Sequence, residues 1–413
     1  MKKLTNIFVI IIFLLSSTGT TKSSMPNVIL LWEKFADLDE SHQLPMIHGD
    51  NLYIFRPLFD NGEISYMKLL YSSDKFTGKR FWRNCIEWQR GYYNPIFYKN
   101  KIILYSSELS KASVECIPND PSYFGNHSFG LFDWVIKLDT YLEELPNSLL
   151  SCQVFEDTVF LIVGKTLLEI EIESGKIIKE QKLNYGDNFG AWAKIRLVDS
   201  KHVFISIKIN ANYDRDILVC IDKTTFKEIW RYGEKIAMLR LINLSKINNS
   251  IILTGNFMKV INNKEECEDR IMFIDPATGK YTILATKSRI SENIYFDDNN
   301  AIISCADSCD TDYAVECIDL KTETTRWKYD EPEVDDRIIP SNNPKGIIIA
   351  SKEFTNKEPE KIQKILRLDS ETGKKLWEEV IPDNSRFNKL FLDEDRIYYQ
   401  DDDFIKCYLV LGL

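Results

Sequence analysis

Leu368-Asp369-Ser370-Glu371-Thr372-Gly373-Lys374-Lys375-Leu376-Trp377 reads as the end of one strand, a tight turn and the start of another. Asp369 and Thr372 are residue types that hydrogen-bond turn backbone, and Gly373 suits a position with φ above zero. Trp377 stands eight residues after Asp369, and the same offset separates Asp74 from Trp82, Asp222 from Trp230 and Asp319 from Trp327. A unit that returns at regular intervals points to a repeat architecture.

Working outward, the unit covers residues 71–82, 135–144, 168–179, 218–230, 272–283, 315–327 and 365–377. Asp139 marks the second without a Trp; Lys179 and Ile283 stand at the Trp place in the third and fifth. Each unit follows a short apolar strand after a polar turn, as at Ile102 to Tyr105 after Lys99 and Asn100. A further apolar stretch precedes most of those turns. Four strands per unit is the content of a propeller blade. The pattern predicts an all-β, eight-bladed β-propeller of four-stranded antiparallel blades. Seven units are complete and one is broken at the C-terminal end. Leu31-Trp32-Glu33-Lys34-Phe35 resembles Leu376-Trp377-Glu378-Glu379-Val380, so the N-terminal strand is expected to complete the last blade and close the ring. Closure removes open sheet edges.

The variable segments, residues 56–65, 106–133, 210–215, 255–269, 306–312 and 352–361, are read as connections between the second and third strands. They would all emerge on one side of the ring, and insertions confined to one face mark a binding face. The segment 106–133 is the best binding candidate. It carries Tyr123, Phe124, Phe129 and Phe132, and loop aromatics are common interface anchors. The same loop could instead fold back into the central channel.

The repeat resembles the quinoprotein, or PQQ-like, family of propellers, whose pattern is close to Ala-x-Asp-x-x-Thr-Gly-x-x-x-Trp. Asp369, Thr372, Gly373 and Trp377 match it, and the resemblance runs over almost the whole of residues 25–413. It implies that Trp32, Trp82, Trp230, Trp327 and Trp377 dock neighbouring blades, alongside the turn residues Asp74, Asp222, Asp319, Asp369 and Gly373. Quinone-dependent members place a disulfide of adjacent cysteines over the cofactor, with Ca²⁺ held by Glu, Asn and Asp. No two cysteines are adjacent in this chain, and no calcium-ligand motif carries over. The expectation is therefore no cofactor, no metal and no catalytic residue, as in the non-catalytic, BamB-like branch. Two alternatives stand beside it: a quinone- or Ca²⁺-dependent oxidoreductase, and a binder of polysaccharide or a small ligand in the central funnel.

Composition bounds the partners. The chain has 413 residues and a formal net charge of −10, which argues against a nucleic-acid surface. A protein partner and a monomeric chain are expected. Lys2, Lys3, nine apolar residues from Ile7 to Leu15 and the small residues Ser16 to Thr20 read as a secretory signal over residues 1–24. That run is too short for a membrane span. No cysteine directly follows it, so no lipid anchor is expected, and the mature chain, 25–413, is expected to be exported as a single domain. A start at Met25 would instead leave it in the cytoplasm.

The remaining signals are weak. Nine cysteines leave at least one unpaired; Cys220 and Cys317 read as buried apolar residues, and Cys305 and Cys309 could pair. Asp307, Asp310, Asp312 and Asp401 to Asp403 are acidic clusters without the spacing of a calcium loop, and are read as solvated charge. His42, His48, His127 and His202 lack zinc-ligand spacing. Sequons at Asn126, Asn243 and Asn248 matter only in a glycosylating pathway.

Overall fold

Strands rich in Ile, Val, Leu and aromatic residues alternate with turns of Asp, Thr, Gly and Lys. In the computed structural model they pair only with sequence neighbours, save at the chain ends. The structure describes residues 28–35, 46–60, 63–87, 95–108, 111–119, 132–142, 150–183, 193–210, 213–233, 238–247, 249–261, 264–287, 289–296, 299–306, 313–331, 337–339, 347–353, 362–381, 389–393, 395–400 and 404–410.

Seven blades are each built from four consecutive antiparallel strands. Blade 1 comprises β2 (Met46–His48), β3 (Asn51–Asp60), β4 (Glu63–Asp74) and β5 (Arg80–Glu87). Blade 2 comprises β6 (Ile96–Tyr98), β7 (Lys101–Glu108), β8 (Lys111–Pro118) and β9 (Trp134–Lys137). Blade 3 has β10 (Ser151–Phe155), β11 (Thr158–Val163), β12 (Thr166–Glu171) and β13 (Ile177–Lys182). Blade 4 has β14 (Ala193–Val198), β15 (His202–Asn210), β16 (Tyr213–Asp222) and β17 (Glu228–Tyr232). Blade 5 has β18 (Met238–Ile247), β19 (Ser250–Ile261), β20 (Lys264–Ile274) and β21 (Tyr281–Lys287). Blade 6 has β22 (Arg289–Phe296), β23 (Asn300–Ala306), β24 (Tyr313–Asp319) and β25 (Thr324–Glu331). Blade 7 has β26 (Arg337–Ile339), β27 (Ile347–Glu353), β28 (Ile362–Leu368) and β29 (Lys375–Ile381).

The two ends of the described chain meet in one composite sheet. β30 (Lys389–Asp393), β31 (Arg396–Gln400) and β32 (Phe404–Val410) are joined at the outer edge by β1 (Val28–Phe35), with Val28 opposite Val410 and Phe35 opposite Phe404. The expectation of an eight-bladed propeller is corrected here to seven blades, although the N-terminal strand does pair with the C-terminal ones as expected. Seven blades are continuous in sequence. The composite sheet differs in kind, because its third and fourth strands come from opposite ends and no turn of the repeat joins them.

The core lies between blades. Phe160, Ile162 and Leu167 of blade 3 pack with Ile205, Val219 and Ile221 of blade 4. Phe204 and Leu218 of blade 4 pack with Leu253 and Met272 of blade 5. Ile302, Val315 and Cys317 of blade 6 meet Leu366 and Leu368 of blade 7. Both faces of a blade are thus covered, which is why the second and third strands read as near-continuous apolar runs rather than as alternation. The first strands are innermost and touch one another. Ile195 N donates to Ser151 Oγ at 2.8 Å, and Gln153 Nε2 donates to the Arg196 carbonyl at 3.0 Å.

Two sequence readings change. Residues 135–144 are not a strand-turn-strand unit; Val135 lies on β9, and Asp139 opens a 3-10 turn, Asp139–Tyr141. Asp139 Oδ1 instead accepts from Ala112 N at 2.8 Å. The segment 106–133 is not one insert either, since it contains β8. Its remaining stretch joins third strand to fourth, on the side of the repeat turns and away from the other variable connections.

Candidate functional site

The repeat turn is held by one carboxylate. Asp369 Oδ1 accepts from Thr372 N and Thr372 Oγ1, both at 2.8 Å, and from Glu371 N at 3.1 Å. Gly373 N closes the turn on the Asp369 carbonyl at 2.8 Å. Asp222 and Asp319 accept in the same way from Thr225 and Thr322, and Asp74 from Phe76 and Thr77. The Thr372 side-chain hydrogen bond, then its backbone one, holds the Asp369 carboxyl below its usual range. Backbone donors do the same at Asp222, Asp275 and Asp319. These aspartates are turn formers.

The turns of blades 3, 5 and 7 each receive an indole from the blade before. Trp230 Nε1 donates to the Pro276 carbonyl at 2.8 Å, and Trp327 Nε1 to the Ser370 carbonyl at 3.0 Å. Trp134 does likewise to the Ile172 carbonyl at 2.7 Å. It was missed because the irregular blade 2 lacks the Asp offset. Trp32 and Trp82 lie on β1 and β5, and their side chains fall outside the described residues.

The glycine of the turn is matched to that indole. A Cβ on Gly175, Gly279 or Gly373 would stand 2.6, 2.8 and 2.6 Å from Cδ2 of Trp134, Trp230 and Trp327. Where the turn has no glycine, the partner changes. Phe226, at φ +57°, replaces glycine in blade 4, and Lys179 of blade 3 takes the Trp place. Lys179 Nζ lies 4.4 Å from the Phe226 ring centroid and donates to the Lys223 carbonyl at 3.1 Å and to the Thr224 carbonyl. Glu323, at φ +59°, replaces glycine in blade 6, and Ile283 of blade 5 stands at the Trp place, exposed.

Trp377 is the exception. Its Nε1 is buried with no hydrogen-bond partner among the described residues. The next sheet is the composite one, which lacks the turn whose carbonyl receives the other indoles.

In blades 1, 4 and 5 the connections between second and third strands are mostly strand. In blade 5, β18 pairs with β19 only as far as Phe257, and β21 with β20 only as far as Asp269. Beyond both, Met258–Cys267, Lys259–Glu266, Val260–Glu265 and Ile261–Lys264 are paired in a bare two-stranded hairpin. Blade 1 projects Phe59–Ile64 and Asp60–Glu63 in the same way. Blade 4 extends to Asn210 and Tyr213. All three hairpins leave the same face.

The aromatic candidates fare unevenly. Tyr123, Phe124 and Phe129 lie outside the described residues. Phe132 is exposed, just before β9, on the face opposite the hairpins. Next to it, Asp133 Oδ2 meets Lys101 Nζ at 3.0 Å, and Lys101 also meets Glu173 Oε2 of blade 3 at 3.2 Å. Burial works against the Lys101 ammonium, but these carboxylates more than offset it and its pKa rises.

Cys116, Cys152, Cys220, Cys305, Cys317 and Cys407 are buried and outside any disulfide, and Cys267 is exposed and likewise not in one. The considered Cys305–Cys309 pairing is therefore corrected: the Cys305 thiol donates to Glu316 Oε1 at 3.6 Å, and burial pushes it up to about 12. Among the described residues no three His, Cys, Asp or Glu side chains group as metal ligands, and no helix is long and apolar enough to cross a membrane.

Blades packed face to face, with their first strands innermost, define a β-propeller. No family model matches the sequence, and no curated protein matches it. Solved structures do match in shape. BamB from Moraxella catarrhalis is similar at TM-score 0.52 and 12% identity, over 94% of this chain and 98% of that one. The Dos1 propeller is similar at TM-score 0.58 and 10% identity, over 93% and 96%. A quinohemoprotein alcohol dehydrogenase from Pseudomonas putida is similar at TM-score 0.55 and 11% identity, over 94% of this chain and 77% of that one. At these identities the likeness is one of fold.

Proposed function

We propose that this chain is an exported, non-catalytic, monomeric scaffold that binds a protein partner through the hairpins projecting from one face of the propeller. The blade 5 hairpin carries the reading. Its four outer pairs have no neighbouring strand on either side among the described residues. Two rows of backbone donors and acceptors are open there to a partner strand. The fold shared with BamB supports a scaffold, but gives no partner. The competing class is a quinone- or Ca²⁺-dependent oxidoreductase.

The test is affinity capture by residues 25–413 from the native envelope fraction, repeated with a Val260→Pro, Glu266→Pro variant of unchanged circular dichroism. We expect a reproducible partner with the parent chain and its loss with the variant. Capture that persists in the variant but fails when Tyr123, Phe124, Phe129 and Phe132 become Ala would move the contact to the turn face. Stoichiometric Ca²⁺ or a quinone chromophore in the purified chain would overturn the non-catalytic reading. Fractionation of the native protein tests export: recovery from the envelope or the medium rather than from the cytosol is expected.

A further inference from the structure

In the seven blades the outer strand follows its neighbour directly in sequence, whereas β1 reaches β32 from the far end of the chain. Paired residues from Val28 with Val410 to Phe35 with Phe404 attach it, with a register shift between Leu30 and Trp32. Among the described residues β1 has no second strand neighbour. No covalent turn returns it to its place once those pairs open.

The composite sheet has contacts to blade 1 that do not run through β1. Tyr398 Oη, on β31, donates to the Lys75 carbonyl at 3.0 Å, and Arg396 Cζ, also on β31, stands 4.5 Å from the Phe76 ring centroid. Lys75 follows Asp74 as Pro276 follows Asp275 and Ser370 follows Asp369. Tyr398 thus reaches the carbonyl position that Trp230 and Trp327 reach from fourth strands. Strands β30, β31 and β32 are consecutive in sequence and make their own antiparallel pairs. Departure of β1 would leave a docked three-stranded sheet. It would also uncover a row of backbone donors and acceptors on β32, matched in register and length to Val28–Phe35.

We propose that β1 is exchangeable between copies: the outer edge of β32 docks the β1 of a second copy, giving a reciprocal strand-swapped dimer alongside the closed monomer. The occupant follows from the register, since β1 already fits that edge within one chain. Both forms contain the same β1–β32 pairs. They differ chiefly in association entropy and in the course of residues 36–45, which join β1 to β2. A segment of that length reaches at most about 33–36 Å when fully extended, which bounds the separation of the two rims. Concentration then sets the balance between the forms. Exchange occurs at the outer rim and leaves the partner-binding hairpins untouched, so either reading stands without the other.

Isotope-labelled and unlabelled full chains, both carrying Trp32→Cys and Cys267→Ser, test it. Position 32 stands opposite Cys407, and Cys267→Ser removes the exposed thiol. The two samples are mixed in equal amounts at high concentration, held in urea below the unfolding midpoint, returned to buffer and treated with a short bis-thiol cross-linker. Mass spectrometry reads the label on each side of every link between positions 32 and 407. We expect hybrid links to rise with protein concentration and to approach about half of the links in the dimer fraction, the limit for an equal mixture. Samples mixed only after cross-linking should show none. Lys34→Cys with Ile405→Cys, another opposed pair, repeats the measurement with Trp32 in place. Links confined to same-label peptides with both pairs, or a dimer fraction without hybrid links, would overturn the exchange.

Discussion

Gly373 satisfies two constraints at once. Its φ is +68°, and the Trp327 indole lies where a side chain would begin. Gly49 shares only the first constraint, with φ +59° and nothing within 4 Å of a built Cβ. Gly49→Ala should therefore cost about 1 kcal/mol, the strain of the left-handed conformation alone. Gly373→Ala should cost more, about 2–4 kcal/mol, since the indole must move as well. Urea unfolding of the two variants measures the difference; equal losses would show that the indole contact adds nothing. Only the first constraint was legible in the sequence. Turn composition marks a glycine locally, whereas the indole comes from the preceding blade, some 46 residues earlier in the chain.

At the scale of the element, docking pairs are exchanged as units. Lys179 with Phe226 stands in for Trp with Gly, and each half suits only its own partner. Lys179→Trp alone should destabilise, because the Phe226 ring occupies the indole's place. Phe226→Gly alone should also destabilise, because Lys179 loses its ring. The double variant should be more stable than the sum of the single losses predicts, with a coupling of about 1–2 kcal/mol in a double-mutant cycle. Additive losses would contradict the exchange. The period-eight offset made the regular turns readable, but it hid blade 2, where Trp134 docks without a repeat Asp. The hairpins were misread for a related reason. Their polar and charged residues look like loop, as in Lys264-Glu265-Glu266-Cys267-Glu268, because strands outside the sheet stack have no core to face. Asn61-Gly62, between Asp60 and Glu63, is a hairpin signal that marks β3 and β4 as one element.

For the whole molecule, repetition multiplies small local effects. Asp222, Asp275, Asp319 and Asp369 all have depressed pKa values, from hydrogen bonds that favour the carboxylate. A depressed native pKa means that the unfolded chain binds the proton more readily. The stability contributed is present above the ordinary carboxyl range, near pH 4, and is lost as pH falls through the depressed values. The urea midpoint should fall between about pH 5 and pH 3, and replacing all four aspartates by Asn should flatten that dependence. An unchanged slope would assign the acid sensitivity to other groups. The repeat made the propeller legible from sequence alone, because every blade restates the same pattern. The unequal last seam was less so. The broken last unit could be read from the sequence, but the effect of its missing turn on Trp377, whose Nε1 has no hydrogen-bond partner among the described residues, could not.

The pairing of Val28 with Val410 also sets an order of events in the cell. Strand β1 leaves the ribosome early, but its partner is made almost four hundred residues later. At roughly 5–20 residues per second, it waits about twenty seconds to over a minute with its edge open. During that time the nascent chain needs a chaperone, or some other temporary cover, for its first strand.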